Sequence, residues 1–222
     1  MSFKILMVGR RTRGQSLAEH RHHMKNVHGK LVLDYIAADP ENAPRRYVQN
    51  HVFDGIFPGD EGQPEPFALG LDFVTEIWTQ NLAALKAGRE TEFYKTHLLP
   101  DEPRMVDPER VVGIPVNEEI IAEPDRQASS PVKVFIFWHG AMPAAPALRD
   151  ALGASAGAVL GQSRCLPAVP HPVKGVDIFR LPDEAAGLAY AQGARDAIRD
   201  RLPAEAGNIS IAIANEYVLN AG

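Results

Sequence analysis

Residues 71–78, LDFVTEIW, alternate without a break: Asp72, Val74, Glu76 and Trp78 fall on one face of a strand, and Leu71, Phe73, Thr75 and Ile77 on the other. The second set is ordinary core. Two carboxylates and an indole on the first face would be partly sheltered, with perturbed ionisation, if that face lines a barrel. The run RRYVQNHVF at 45–53 behaves alike, with Tyr47, Gln49, His51 and Phe53 together opposite Val48 and Val52. A polar, aromatic strand face has two readings. It is a solvated sheet face or subunit interface, or it is the wall of a pocket in which apolar surface carries a few convergent polar groups.

Working outward, the first half reads as a strand at Phe3–Gly9, a loop closed by Gly14, and a helix that opens on the capping box Ser16/Glu19. Strands follow at Arg46–Phe53 and Leu71–Thr79, separated by the Gly- and Pro-rich DGIFPGDEGQPEP, then helical character at Asn81–Leu99 and a strand at Arg110–Ala122. The order is βαββαβ. Glu123–Pro131, EPDRQASSP, has no apolar residue larger than alanine and reads as a linker over 123–131 between units 1–122 and 132–222. The second unit repeats the order: strand Val132–His139, helix Ala144–Leu152, strands Val159–Cys165 and Val176–Leu181, helix Asp183–Arg201, strand Asn208–Leu219. An α+β unit with both helices on one face of an antiparallel sheet leaves the other face bare, so two tandem units are expected to pack their sheets into an intrachain α+β barrel.

Composition narrows the function. The net charge of −5 offers no basic footprint for nucleic acid. Apolar runs such as Val132–Trp138 are far short of the roughly 20 residues that cross a bilayer. The N-terminus lacks the apolar core of a signal peptide, so a cytoplasmic location is expected. The lone Cys165 has no companions at zinc-ligand spacing and reads as a buried thiol.

The helix SLAEHRHHMKNVHGKLVLD at 16–34 carries four histidines that titrate near neutrality. A step of about 100° per residue places Leu17, His20, Met24, Val27, His28 and Leu31 on one stripe, with His23 at its flank and His22 opposite. Spacings of three and five around one helix do not bring His20, His23 and His28 to one point, so no metal site is expected.

These pieces together resemble the EthD family of the dimeric α+β barrel, ferredoxin-like group. The resemblance rests on FKILMVGR, HHMKNVHGKLV with His23 and His28 separated by four residues, RRYVQNHV, LDFVTEIW and DEPRMVDPERVVGIPVNEEI, in order over about residues 3–122. Met24 stands where an aromatic usually follows the first histidine, and the second half has neither the histidine pair nor the acidic strand. The resemblance implies two ferredoxin-like units, and small organic molecules as partners. Relatives in the barrel group include isomerases, cyclases, dehydratases and monooxygenases that use no cofactor, and also haem-binding members. The leading expectation is a cofactor-free lyase, isomerase or cyclase working by proton transfer on a hydrophobic carbonyl-containing or aromatic metabolite. In it His28 is the base, His51 and Tyr47 bind or polarise the substrate oxygen, Asp72 or Glu76 orients a histidine, and Gln49, Trp78 and His23 complete the binding wall. The alternatives are a non-catalytic protein that binds a hydrophobic metabolite or serves as an accessory of an oxidative degradation pathway, and a haem- or metal-dependent variant. A homodimer of two-domain chains is compatible with the sequence.

Overall fold

The computed structural model describes residues 2–58, 66–123, 132–153, 159–203 and 208–222. Its strands are β1 (Ser2–Arg11), β2 (Arg46–Ile56), β3 (Phe73–Trp78), β4 (Val106–Ala122), β5 (Val132–Trp138), β6 (Gly161–Pro167), β7 (Gly175–Leu181) and β8 (Ile209–Asn220). They form a closed barrel in the order β1-β3-β2-β8-β5-β7-β6-β4, with every ladder antiparallel. The first four strands lie in the order β4-β1-β3-β2, and the last four in the matching order β8-β5-β7-β6. Closure is by edges as well as faces: β2 pairs with β8 and β4 with β6, which leaves no open edge among these strands. Residues 124–131 of the expected linker lie outside the described residues.

The helices are α1 (Leu17–His22), α2 (Gly29–Ala38), α3 (Leu82–Glu90), α4 (Glu102–Met105), α5 (Ala145–Leu152) and α6 (Glu184–Arg201). The end caps that the sequence advertised are made. The Ser16 hydroxyl accepts the Glu19 N–H while the Glu19 carboxylate accepts the Ser16 N–H, and Asp183 caps α6 through the Ala186 N–H. Val132, Val134, Ile136 and Trp138 on the outer face of β5 pack under α5 and α6. None of the helices among the described residues is long and apolar enough to cross a membrane.

Strand parity decides what each face meets. The lumen takes Leu6, Val8, Val74, Ile114, Val116, Phe135 and Phe137, so both halves share one apolar core. Leu71 joins that core beside Val74, because Gly70, at φ +81°, turns the chain just ahead of β3 and the alternation begins only at Phe73. At one end the lumen is ionic. Lys4 Nζ lies 2.6 Å from Glu76 and 2.7 Å from Glu118, Lys133 contacts Glu76 and lies 2.7 Å from Glu216, and Arg180 pairs with Glu216 at 2.8 Å. Three cations face three carboxylates, which is how buried charge is tolerated.

Candidate functional site

Leu17 to Ala38 forms one continuous helical rod whose middle, His23–His28, is a π turn between α1 and α2. In a uniform α-helix residues five apart lie about 140° apart and could not share a partner. The π turn, closed by the Gly29 N–H onto the Met24 carbonyl, widens the helix and removes that separation. His23 Nε2 then lies 2.9 Å from Asp101 Oδ1, and His28 Nδ1 lies 3.0 Å from Asp101 Oδ2. The uniform 100° wheel is therefore wrong for this helix.

Asp101 stands at the start of α4, where its backbone carbonyl accepts the Arg104 N–H. Its carboxylate makes no cap bond and turns instead to the two histidines. Burial works against its charge, but the hydrogen bonds from His28 and His23 outweigh burial and hold the carboxyl below its ordinary range. An ionised carboxylate only accepts, so Nδ1 carries the proton of neutral His28 and the basic Nε2 is the nitrogen left for other work. No hydrogen bond among the described residues reaches that Nε2.

His28 lines a cavity of about 550 Å³ between the outer wall of the barrel and the helices of the first half. Ile5 and Met7 of β1 and Phe73, Thr75 and Ile77 of β3 form its floor, Tyr47 of β2 extends the wall, and Val32 and Tyr35 of α2 face them. A second π turn at Tyr94–Leu98 brings Tyr94 and Leu98 to the cavity. On the more exposed rim the Tyr94 hydroxyl donates to Glu102, and the Arg89 guanidinium lies 4.8 Å from the Tyr94 ring centre. The enclosure is apolar with a few polar groups, as in small-molecule sites.

The expected residues divide between two sides of the sheet. His28 and Tyr47 line the cavity, and His23 joins through Asp101. Gln49 and His51 stand behind Tyr47: both are buried and neither lines the cavity. Burial, with smaller contributions from neighbouring His20, Arg21 and Lys25, lowers His51 to about 4, so its ring is neutral at pH 7. Glu76 and Trp78 point the other way, into the lumen. Glu76 is held below the carboxylate range because Lys133 and Lys4 outweigh the effect of its burial, and Trp78 Nε1 donates to Glu118. Asp72 lies just before β3, bonded to Arg11 at 2.7 Å. Placing Asp72 or Glu76 as the orienting acid of a histidine is therefore corrected. The helices cover the odd-numbered face of β3, and the even-numbered carboxylate serves the lumen lysines instead. The carboxylate that meets the histidines is Asp101, which opens the segment DEPRM and carries no local mark of that contact. In the ladder of β5 with β7 Trp138 sits opposite Gly175 and its buried indole donates to Asp177, whereas in the ladder of β1 with β3 Gly9 sits opposite Phe73.

Residues 12–109 match the family model of the EthD domain. No curated protein gives a significant match. The crystal structure of an anthrone oxidase-like protein is similar with a TM-score of 0.60 at 11% identity, over 98% of this chain and 93% of that one. A protein from Lactobacillus acidophilus NCFM, provisionally assigned as a monooxygenase, matches with a TM-score of 0.54 at 8% identity, over 100% and 98% of the two chains. A chlorite dismutase variant from Candidatus Nitrospira defluvii matches with a TM-score of 0.50 at 7% identity, over 97% and 92%. At such identities the likeness extends to the fold.

Proposed function

We propose, because residues 12–109 match the family model of the EthD domain, that the protein is a small-molecule enzyme that moves a proton on a hydrophobic carbonyl-containing or aromatic metabolite, without a redox cofactor, in the manner of a lyase, isomerase or cyclase. The observation that carries the proposal is His28, with Nδ1 held by Asp101 and its ring on the wall of an apolar cavity. A carboxylate that fixes one ring nitrogen as N–H leaves the other as a base, and the imidazolium formed on proton abstraction is stabilised by the same carboxylate. His23 holds the second carboxylate oxygen and so fixes the rotation of Asp101. Tyr47 supplies a phenol at the cavity wall, for the oxygen on which charge accumulates.

Tandem ferredoxin-like units at 1–122 and 132–222 are part of the same reading. Aligning β1 with β5 by their ladder partners places Lys4 on Lys133 and Glu118 on Glu216. Both lysine–glutamate pairs measure 2.7 Å, which supports a duplicated origin. A duplicated barrel needs no second chain to cover its sheets, so a homodimer would be an additional contact, to be tested by sedimentation. A cytoplasmic site of action completes the proposal.

The test is hydrogen–deuterium exchange at the α-carbon of enolisable cyclic ketones and lactones, followed by mass spectrometry for wild type and His28→Ala. General-base catalysis predicts a loss of roughly 10²–10⁴-fold in the variant. Equal rates would remove His28 from the mechanism. A tightly held co-purified metabolite that neither protein exchanges would point to a sequestering protein.

A further inference from the structure

We infer that Gln49 is a positioning residue that makes Tyr47 a hydrogen-bond donor into the cavity, so that an enol or phenol oxygen is held between the Tyr47 hydroxyl and His28. The inference rests on the reading of the cavity as a proton-transfer site, and it identifies the ligand class as a neutral apolar ring compound with one such oxygen.

The argument begins at Met24. Its carbonyl can only accept, and it lies 2.7 Å from Gln49 Nε2, so the amide cannot be turned round. The same Nε2 lies 3.0 Å from the Tyr47 oxygen, which must therefore accept. The phenol proton is left unspent, no other hydrogen bond to the Tyr47 hydroxyl exists among the described residues, and Tyr47 lines the cavity. At the far end of the amide, Gln49 Oε1 lies 3.2 Å from His51 Nε2, which must carry the N–H of the neutral ring. His51 is thus a lock on Gln49, and its ring packs at a tilt of 46° against Tyr217, with ring centres 4.6 Å apart. The chain His51, Gln49, Tyr47 passes donors in one direction only, and each bond polarises the next.

The helix is shaped to allow this. A Cβ on Gly29 would stand 2.7 Å from Leu219 Cδ1, so the bare α-carbon lets the rod lie close against that side chain, and Gln49 Nε2 is in van der Waals range of the same position at 3.4 Å. Gly29 itself is helical at φ −58°, so close approach is its role and helix loosening is not. The π turn that aligns His23 and His28 on Asp101 also contains Met24, the residue whose carbonyl fixes Gln49. One irregularity in one helix therefore sets both the base and the donor.

The probes are 2-naphthol, whose hydroxyl can donate to His28 and accept from Tyr47, and naphthalene, which reports apolar fit alone. Dissociation constants are measured by fluorescence, and the readout is the naphthol-to-naphthalene preference. Tyr47→Phe and Gln49→Met are each expected to lower the preference roughly 5-fold, the scale of one hydrogen bond, and the double variant to fall no further than Tyr47→Phe alone. Gln49→Glu keeps the shape and reverses the polarity: its preference should vanish as pH rises through ionisation of the new carboxyl, which a packing role would not produce. An unchanged preference in both Gln49 variants, or losses that multiply in the double variant, overturns the inference. The two readings fail separately. Loss of preference without any His28-dependent exchange would leave the donor and remove the proton transfer, and His28-dependent exchange with preference intact in the Gln49 variants would do the reverse.

Discussion

Glu76→Gln separates the two faces of the barrel wall. Glu76, 1% exposed, accepts from Lys4 at 2.6 Å, from Asn50 at 3.1 Å and from Lys133, and it is the carboxylate shared by the two lysine pairs of the lumen. A glutamine can still accept on its oxygen, but its amide N–H₂ must face an ammonium, and three cations are left with two carboxylates. Breaking a buried ion pair by removing one partner costs about 3–5 kcal/mol. For a chain of this size each kcal/mol moves the melting temperature by about 2–4 °C, so the variant should melt roughly 6–20 °C lower. The carboxylate lies on the opposite side of β3 from His28, so exchange activity, measured at a temperature where the variant is fully folded, should stay within about 2-fold of wild type. Calorimetry, urea titration and the exchange assay on the same preparation decide the matter. A variant that melts like wild type but has lost activity would return Glu76 to the site and refute the assignment of the lumen as structural.

Asp101→Asn should lower exchange activity by roughly 10²–10⁴-fold, because an amide N–H facing Nδ1 drives the His28 proton to Nε2, the wrong tautomer for a base; steady-state exchange rates check it, and a loss below 3-fold would exclude the orienting role. Stability should fall as pH is lowered from about 6.5 to about 4. Burial holds His51 and His139 at about 4 in the folded chain, so in that window the unfolded chain binds protons that the folded chain refuses. The contribution reaches ~3 kcal/mol for deeply buried His51 and less for half-buried His139. Urea titrations between pH 4.5 and 7.5 should show the slope, reduced in His51→Phe, and a flat profile would contradict the burial argument.

Much of the fold was legible because its signals are local. Alternation in LDFVTEIW and RRYVQNHVF, the capping box at Ser16 and the cap at Asp183 each depend on residues within one element, and the structure places strands and helices where those signals stand. The edge pairing of β2 with β8 and β4 with β6 was not legible, since edge strands carry no sequence mark of the partner they will find.

The candidate site divides along the same line. Local pattern alone established that histidines on one helix and a polar, aromatic strand face exist, and parity fixed that Tyr47, Gln49 and His51 share a side of β2. Long-range packing set the rest: the helices cover that side, Glu76 is consumed by lysines from β1 and β5, and Asp101, 73 residues from His28, is the acid bonded to it. The physical reason is that a helical wheel assumes one pitch. A single π turn changes the pitch where His23 and His28 stand, and the groups it meets, Gln49 of β2 and Asp101 at the start of α4, lie in no local stretch of sequence.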